Sequence, residues 1–289
     1  MFEKVNAGHP DKMADRLAGA VVDLVYERAG GLTKANPRVA CEVMAGHGRV
    51  DVQIETSLSR QDLRAGDIDP MIHRIFGESV EGYVLIAPQD AHLSDNQTNG
   101  LRCGDNGIFK GCPPTEEQQL LTDIAASIYD RWPYDGKYII HESDRKPIPQ
   151  YHLTICQSNA EEKEIRDFLN SKLSTLNYQL KINPLGEWTG GPDVDCGATN
   201  RKLGSDMGDG VTGGGLHGKD LSKADVSVNI WCYLESIRTG HQVTACCSIG
   251  DESVNGVPYS EIVEKARSYI HSIGGFEKFA MWGLIRPKE

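Results

Sequence analysis

The 289-residue chain has the composition of a globular protein, with 39% hydrophobic and 25% charged residues. Its net charge of −11 argues against nucleic acid or anionic lipid as a partner. No apolar run approaches the roughly 20 residues that span a membrane, the first residues turn polar at once, and the eight cysteines show no zinc-site spacing. We therefore predict a cytoplasmic protein with reduced thiols, without signal peptide or membrane span.

The first third of the chain predicts a helix followed by a hairpin. Apolar residues recur at helical spacing over residues 10–29, with a proline at the start and two glycines after the end. Two alternating runs, "RVACEVMA" and "RVDVQIETSL", are joined by "GHG" and predict antiparallel strands. They carry Glu42 and Glu55, which share a face if the turn has two or four residues and lie on opposite faces if it has three. The sequence leaves this open.

The middle of the chain alternates strands and helices. Residues 82–88 predict a buried strand, and the polar segment after them is rich in turn signals. A capping box of Thr115 and Gln118 predicts a helix that ends near Trp132. The runs "KYIIHE" and "YHLTICQS" predict strands, and residues 159–176 have the pattern of an amphipathic helix.

The last third begins with a long glycine-rich stretch, residues 185–218, which has almost no hydrophobic periodicity. Irregular stretches of that length are usually functional or disordered, and its many Asp, Arg and Lys residues favour function. A helix around 220–238, a strand over 241–250 and a helix over 259–273 follow. Strands and helices therefore mix throughout, which predicts an α+β fold rather than a doubly wound parallel sheet.

The stretch "GGGLHGKD" spells most of a phosphate-binding P-loop from Gly213 to Lys219. A true P-loop follows a buried strand and has Ser or Thr after the lysine. Here the preceding residues are "SDMGDGVT", and Asp220 follows Lys219. The pattern argues against a P-loop NTPase, which leaves a plain glycine turn or a phosphate site of another kind.

Four other stretches share this mixture of glycine and charge: "GHPDK", "CGDNGIFKG", "YDGK" and "GGPDVDCGATNRK". Cations and carboxylates together suit a polyphosphate held with a divalent metal, since cations pair with phosphate oxygens and carboxylates bind Mg²⁺. The cations are Lys12, Lys137, Arg201, Lys202, Lys219 and Lys223. The carboxylates are Asp11, Asp105, Asp195 and Asp225, and His9 stands beside them.

In this order the stretches resemble the signatures of the S-adenosylmethionine synthetase family, also called methionine adenosyltransferases. The matching segments are Gly8–Lys12, Arg38–Glu42, Gly104–Gly107, Gly190–Lys202 and Gly213–Asp225. In the fourth, Asn200 replaces the family's last glycine, and the fifth is one residue shorter than in the family. The resemblance spans nearly the whole chain.

The resemblance implies an enzyme that joins ATP and L-methionine. The methionine sulfur attacks C5′ of ATP, the triphosphate leaves, and it is then hydrolysed to pyrophosphate and phosphate. It also implies three similar α+β subdomains with pseudo-threefold symmetry, with mixed and antiparallel sheets covered by helices. We place them at residues 1–98, 99–188 and 189–289. A homodimer with active sites at its interface, Mg²⁺ (two ions per site) and K⁺ complete the expectation.

Roles are carried over by matching positions. The resemblance gives catalytic roles to His9, Lys137, Arg201, Lys202 and Lys219. ATP and its triphosphate would contact these residues and Asp135, Trp188 and Asp195. Methionine would contact Glu55, Gln97, Asp105, Asp195 and Lys223. Asp11 and Asp225 would bind Mg²⁺, and Glu42 would bind K⁺.

The chain departs from the family pattern in four places. Ala7 stands where the family has glutamate, Glu187 stands where an arginine contacts ATP, and the chain is shorter than usual members. Only residues 98–104 remain of the family's mobile active-site loop, which predicts a more open site. These departures keep two alternatives in view: an ATP-binding homologue without turnover, and a triphosphatase that no longer uses methionine.

Overall fold

The computed structural model describes residues 1–96, 106–143 and 150–288. The helices within them are α1 Pro10–Arg28, α2 Asp69–Phe76, α3 Ala91–Asn96, α4 Glu116–Arg131, α5 Glu162–Lys172, α6 Leu203–Met207, α7 Ala224–Thr239, α8 Tyr259–Ser272 and α9 Phe276–Trp282. The strands are β1 Phe2–Val5, β2 Val39–Gly46, β3 Arg49–Thr56, β4 Glu81–Pro88, β5 Gly107–Gly111, β6 Gly136–Ser143, β7 Gln150–Gln157, β8 Tyr178–Ile182, β9 Gly197–Ala198, β10 Val243–Cys247, β11 Ser253–Val254 and β12 Val257–Pro258. The predicted α+β class is confirmed.

Two four-stranded sheets have the same strand arrangement. In one, β6 pairs antiparallel with β1 and β7, and β8 lies parallel to β7. In the other, β2 pairs antiparallel with β9 and β3, and β4 lies parallel to β3. Strands β5 and β10 form a smaller antiparallel sheet, and β11 pairs with β12. The two four-stranded sheets each pack against helices around an apolar core of their own, and the two small sheets share a third core.

The same order of elements occurs three times along the described chain. A leading strand (β1, β5 or β9) precedes a long helix (α1, α4 or α7), which further strands and a second helix (α2, α5 or α8) follow. Each leading strand joins the sheet of another repeat, because β1 pairs with β6, β5 with β10 and β9 with β2. This connectivity supports three similar subdomains. Their symmetric placement and the boundaries at 98 and 188 stay predictions.

Helix α1 positions the first predicted motif and is buried along most of its length. It begins at Pro10, whose missing N–H costs nothing in the first turn. His9 caps the helix, since its Nδ1 accepts a hydrogen bond from the Asp11 N–H at 3.1 Å. On the far side, Gly19 lets α9 approach so closely that a Cβ would lie 2.6 Å from the Phe276 carbonyl oxygen.

The β2–β3 hairpin settles the question of the two glutamates. Its turn consists of His47 and Gly48, with φ of 53° and 78°, as in the tight turns that suit twisted hairpins. The register places Glu42 opposite Gln53 and Ala40 opposite Glu55. Glu42 and Glu55 therefore share one face of the sheet.

That face of the sheet is open in the single chain. Side chains on the opposite face, such as Val52, are buried against α1. On the open face, Met44, Tyr83 and Leu85 are 64%, 48% and 59% exposed. Large apolar side chains side by side on one surface usually mark an interaction site.

Most predicted elements are present, with shifts at their ends. The strand predicted over 82–88 is present as β4, but it is not buried, because it lies at the sheet edge with Tyr83 and Leu85 on the open face. The helix predicted around 220–238 begins at Ala224, because the Asp220 side chain accepts hydrogen bonds from the N–H groups of Val39 and Ser222 and holds this segment beside β2. The elements that were not predicted are strands β1, β5, β8, β9, β11 and β12 and helices α2, α3, α6 and α9. Among the described residues, no helix combines the length and apolarity that crossing a membrane requires.

Candidate active site

The N-terminus of α1 brings together four predicted site residues. His9 and Asp11 are 8% and 2% exposed. Asp11 Oδ2 lies 3.2 Å from Lys202 Nζ, and its Oδ1 lies 3.6 Å from Arg201. The Arg201 side chain is 59% exposed and faces solvent. Two cations around one buried carboxylate at a helix N-terminus form a surface suited to an anion.

His9 is a neutral hydrogen-bond donor in this environment. Burial lowers its pKa to about 4; Lys202 and Lys137 also lower it, and Asp11 and Asp195 oppose the change. Because Nδ1 accepts from the Asp11 N–H, the proton of the neutral ring lies on Nε2. The ring therefore offers an Nε2–H donor at neutral pH.

A glycine brings the cationic loop against α1. At Gly197 of β9, a Cβ would lie 2.2 Å from the Pro10 carbonyl carbon, so no other residue permits this approach. The next residue, Ala198, donates its N–H to Asp11 Oδ1 at 2.8 Å. This contact fixes the carboxylate in front of Arg201 and Lys202, which follow in the same loop.

A second buried carboxylate, Asp135, lies beside this cluster. Burial raises its pKa to about 6. Its Oδ2 accepts from the Gly191 N–H at 3.1 Å, and its Oδ1 has no hydrogen-bond partner among the described residues. At Gly190, a Cβ would lie 2.7 Å from Asp135 Oδ2 and 2.5 Å from the Trp188 indole. Trp188 and Glu187 line a pocket of about 290 Å³.

Lys137 and Asp195 lie within electrostatic reach of His9. Lys137 lies on β6, and its Nζ is 3.2 Å from Glu3 of β1. Asp195 is exposed, and its Oδ1 accepts from the Cys196 N–H at 2.8 Å. Both charges act on the pKa of His9, in opposite directions.

A second cluster lines a pocket of about 820 Å³. Lys219 Nζ donates to Asp225 Oδ2 at 2.6 Å, and Lys223 and Asn106 also line the pocket. Asp225 lies in the first turn of α7. Gly214 is required beside it, since φ is +72° and a Cβ would lie 2.0 Å from Asp225 Oδ1.

The two clusters lie at different places on strand β2. Ala198 pairs with Met44, whereas Lys219 pairs with Ala40, which separates them by about 13 Å at 3.3 Å per residue. Lys219 lies opposite Ala40 and therefore on the open face of the sheet. Helix α1, which carries Asp11, packs against the other face. Within one chain the clusters do not converge.

Lys12 does not face the site, contrary to its sequence-based grouping with the phosphate-binding cations. Its buried Nζ lies 2.7 Å from Asp206, 3.0 Å from Asp15 and 3.4 Å from His217 Nε2. Burial lowers the pKa of Lys12, but the two carboxylates outweigh it and raise the pKa above its usual value. The Asp15, Asp206 and His217 ligand atoms are close enough for a metal ion. The Lys12 ammonium among them instead makes a buried ionic network that no sequence pattern indicated.

The remaining predicted residues divide into two groups. Glu42 accepts a hydrogen bond from Thr199 Oγ1 and shares the open face of the sheet with Glu55. Gln97, Asp105 and the shortened loop over 98–104 lie outside the described residues. The seven described cysteines are free thiols.

Fold and site together define an α+β protein with two clusters of cations and carboxylates, of the kind that binds a polyphosphate with a divalent metal. Residues 1–76 match the family model for the S-adenosylmethionine synthetase N-terminal domain. The chain is 31% identical over 275 residues to the S-adenosylmethionine synthase of Salinibacter ruber, an alignment that covers 78% of this chain and 69% of that one. With the enzyme of Jannaschia sp., identity is 27% over 278 residues, with the same shares.

A solved structure has the same fold. It is described as an unusual S-adenosylmethionine synthetase from Campylobacter jejuni; the TM-score is 0.72 and the identity is 18%, over 98% of this chain and 94% of that one. The chain belongs to the S-adenosylmethionine synthetase family. The family resemblance drawn from the motifs is thereby confirmed.

Proposed function

We propose that this protein makes S-adenosylmethionine from ATP and L-methionine. The observation that carries the proposal is the cluster at the N-terminus of α1, where buried His9 and Asp11 meet Lys202 and Arg201. In the reaction, a bond forms between the methionine sulfur and C5′ while the C5′–O bond breaks. Its electron pair leaves with the triphosphate, so the site has to stabilise negative charge on the leaving group.

His9 is suited to stabilise that charge. Its neutral ring carries the proton on Nε2, because Nδ1 is occupied by the Asp11 N–H. We assign this Nε2–H as the donor to the oxygen that departs from C5′. Arg201, Lys202 and Lys137 supply further positive charge for the phosphates. No covalent nucleophile is needed.

Mg²⁺ fits the residues present. Asp11 and Asp225 offer carboxylate oxygens, the ligands that Mg²⁺ prefers, next to cations suited to phosphate. We assign both residues to Mg²⁺, with two ions per site. When bound, the ions would neutralise part of the negative charge of the triphosphate. Glu42, with an oxygen of Thr199 beside it, is the residue we assign to K⁺.

The proposed contacts of adenosine and of methionine involve residues beside the two clusters. We place adenosine near Asp135 and Trp188, because the free Asp135 Oδ1 can accept a hydrogen bond from a hydroxyl group and the indole offers a stacking face. Lys223 and Glu55 lie on the side of the second cluster and carry charges opposite to those of the methionine carboxylate and ammonium groups. Asp195, Gln97 and Asp105 stay predicted methionine contacts.

A second copy of the chain would complete the site. Lys219 and Asp225 do not converge with His9 and Asp11 within one chain, whereas a symmetric dimer can set one chain's first cluster against its partner's second. The exposed Met44, Tyr83 and Leu85 on the intervening sheet face supply apolar surface for such contact. We therefore propose a homodimer with active sites at its interface.

The test is one incubation of the purified protein with ATP, methionine, Mg²⁺ and K⁺, followed by mass spectrometry and phosphate release. The proposal expects S-adenosylmethionine together with pyrophosphate and phosphate. Phosphate without the sulfonium product would favour the triphosphatase alternative. ATP binding without any product would favour a homologue that has lost turnover. A Lys219→Met variant should lose activity by about 100-fold or more and remain folded.

A further inference from the structure

The edge of β2 that lies opposite β3 pairs with two separate segments of the chain. Strand β9 runs along one end, and the Thr199 N–H donates to the Val43 carbonyl oxygen at 3.0 Å. At the other end, the Gly218 carbonyl oxygen accepts from the Cys41 N–H at 2.7 Å. Between these points the chain leaves the edge and forms a loop over residues 201–216. The ladder of hydrogen bonds along β2 is therefore interrupted and then resumed.

Asn200 closes the neck of this loop. Its Nδ2 donates to the His217 carbonyl oxygen at 3.2 Å, and its Oδ1 accepts from the His217 N–H at 2.9 Å. The side-chain amide thus pairs with His217 as a peptide group would. Both partners are anchored, since the Asn200 N–H donates to Asp15 Oδ1 at 2.7 Å and His217 Nε2 lies 2.9 Å from Asp206.

Backbone conformation alone does not explain an asparagine at this position. Its φ is +62°, a region that glycine adopts with less strain. The facing residue is adapted to the amide, because a Cβ at Gly215 would lie 2.6 Å from Asn200 Nδ2. The two side-chain hydrogen bonds to His217 are what asparagine adds over glycine.

The neck joins the two cationic segments. Arg201 and Lys202 follow Asn200 directly, and Lys219 follows His217 by two residues. We infer that Asn200 is a positioning residue, which fixes the Arg201–Lys202 segment and the Lys219 segment along β2, so that each is ordered for polyphosphate binding in the site to which it contributes. The inference rests on the proposed function. Residues 203–207 of this loop stay anchored as α6 and through buried Asp206, but without the amide pair the residues at the neck would gain freedom, and the cations beside them would be ordered only on binding.

The experiment compares Asn200→Gly and Asn200→Asp in the full-length protein. Asn255→Gly is the matched control, since Asn255 also has positive φ (51°), and neither it nor Thr244, whose carbonyl oxygen accepts from its side chain, lines the pockets of the site. The ligand is inorganic tripolyphosphate with Mg²⁺, measured by calorimetry. Circular dichroism at the assay temperature verifies that each variant is folded, and the KM values for ATP and methionine are measured separately.

Loss of two hydrogen bonds predicts a dissociation constant for tripolyphosphate about tenfold higher in Asn200→Gly. KM for ATP rises with it, KM for methionine stays unchanged, and Asn255→Gly binds as the wild type does. Asn200→Asp binds more weakly than Asn200→Gly, because a carboxylate oxygen would face the His217 carbonyl oxygen. A purely conformational role predicts the reverse for glycine, which would bind at least as well as asparagine.

The outcomes separate the two proposals. If the wild type binds tripolyphosphate and Asn200→Gly binds it equally well, the role of Asn200 is overturned and the proposed function still stands. A wild-type protein that binds no tripolyphosphate overturns the proposed function and this role together. A parallel rise in KM for methionine would show that the substitution disturbs the whole site. That result would also contradict a specific role of Asn200 in positioning the cations that bind phosphate.

Discussion

A dimer with His9→Ala in one chain and Lys219→Met in the other is expected to be active, although each variant alone is not. If each site combines the first cluster of one chain with the second cluster of its partner, this mixed dimer contains one site with both substitutions and one with neither. Its activity should be about half that of the wild-type dimer. Each homodimer should lose about 100-fold or more, as for removal of a group that stabilises transition-state charge.

The expectation follows from the separation of the clusters. Lys219 and Ala198 pair with residues four apart on β2, about 13 Å along the strand, and Lys219 lies on the open sheet face, away from α1. The assay uses co-expressed chains with two different affinity tags, purified over both columns, and measures S-adenosylmethionine formation per dimer.

The control pairs His9→Ala with Lys202→Met. Both residues belong to the first cluster, so each site of that mixed dimer carries one substitution and no activity should return. An inactive His9→Ala/Lys219→Met dimer would refute the shared site and place the whole reaction within one chain. Activity in the control dimer would refute the assignment of His9 and Lys202 to the same cluster.

Three further predictions concern single residues. Lys12→Met should lower the free energy of unfolding by about 3–5 kcal/mol, because Asp206 is left buried without its cation. Urea unfolding measures this change, and an unchanged midpoint would contradict a stabilising role of the buried ionic network around Lys12. Asp135→Asn should raise stability at pH 7 by up to about 3 kcal/mol while activity falls, since the folded-state pKa of about 6 lies above the ordinary 3.8 and the charged form is penalised. The wild type loses that stability as pH rises from about 4 to 6, so the difference should vanish below pH 4 in thermal scans. Gly197→Ala should cut activity by about 100-fold, since the Cβ would displace β9 from α1. The control is Gly204→Ala, where a Cβ meets nothing within 4 Å. Equal activities of the two variants would argue against the close approach of β9 to α1.

The sequence predicted those parts of the fold whose signals are local. Helix α1 has a proline at its start and a regular apolar period, and the Thr115–Gln118 capping box forms as expected. Strand β1 was missed because Lys4 in its middle reads as exposed. In the structure, Lys4 is fully buried and its Nζ donates to three carbonyl oxygens, among them that of Ile285. Partners so distant in sequence leave no local pattern.

In the candidate site too, the sequence predicted the residues that lie in local motifs and missed those that depend on distant segments. Motif matching named His9, Asp11, Arg201 and Lys202, and the structure brings them together. It could not tell that Lys12, one residue from Asp11, points into a buried network, because helical spacing alone does not give the surroundings of a side chain. The tie between Asn200 and His217 was equally out of reach, since it depends on two segments that meet only along β2.

The exchange of leading strands has a consequence for synthesis on the ribosome. Strand β1 leaves the exit tunnel well before β6, its partner more than 130 residues later, and the edge of β2 stays unpaired until β9 follows at Gly197. Strand β5 waits in turn for β10. The sheet that contains β2 therefore stays incomplete while the whole middle third is being made, and β1 and β5 wait unpaired for strands that follow much later. Speed of elongation and shielding of those edges thus become part of how this protein reaches its native state.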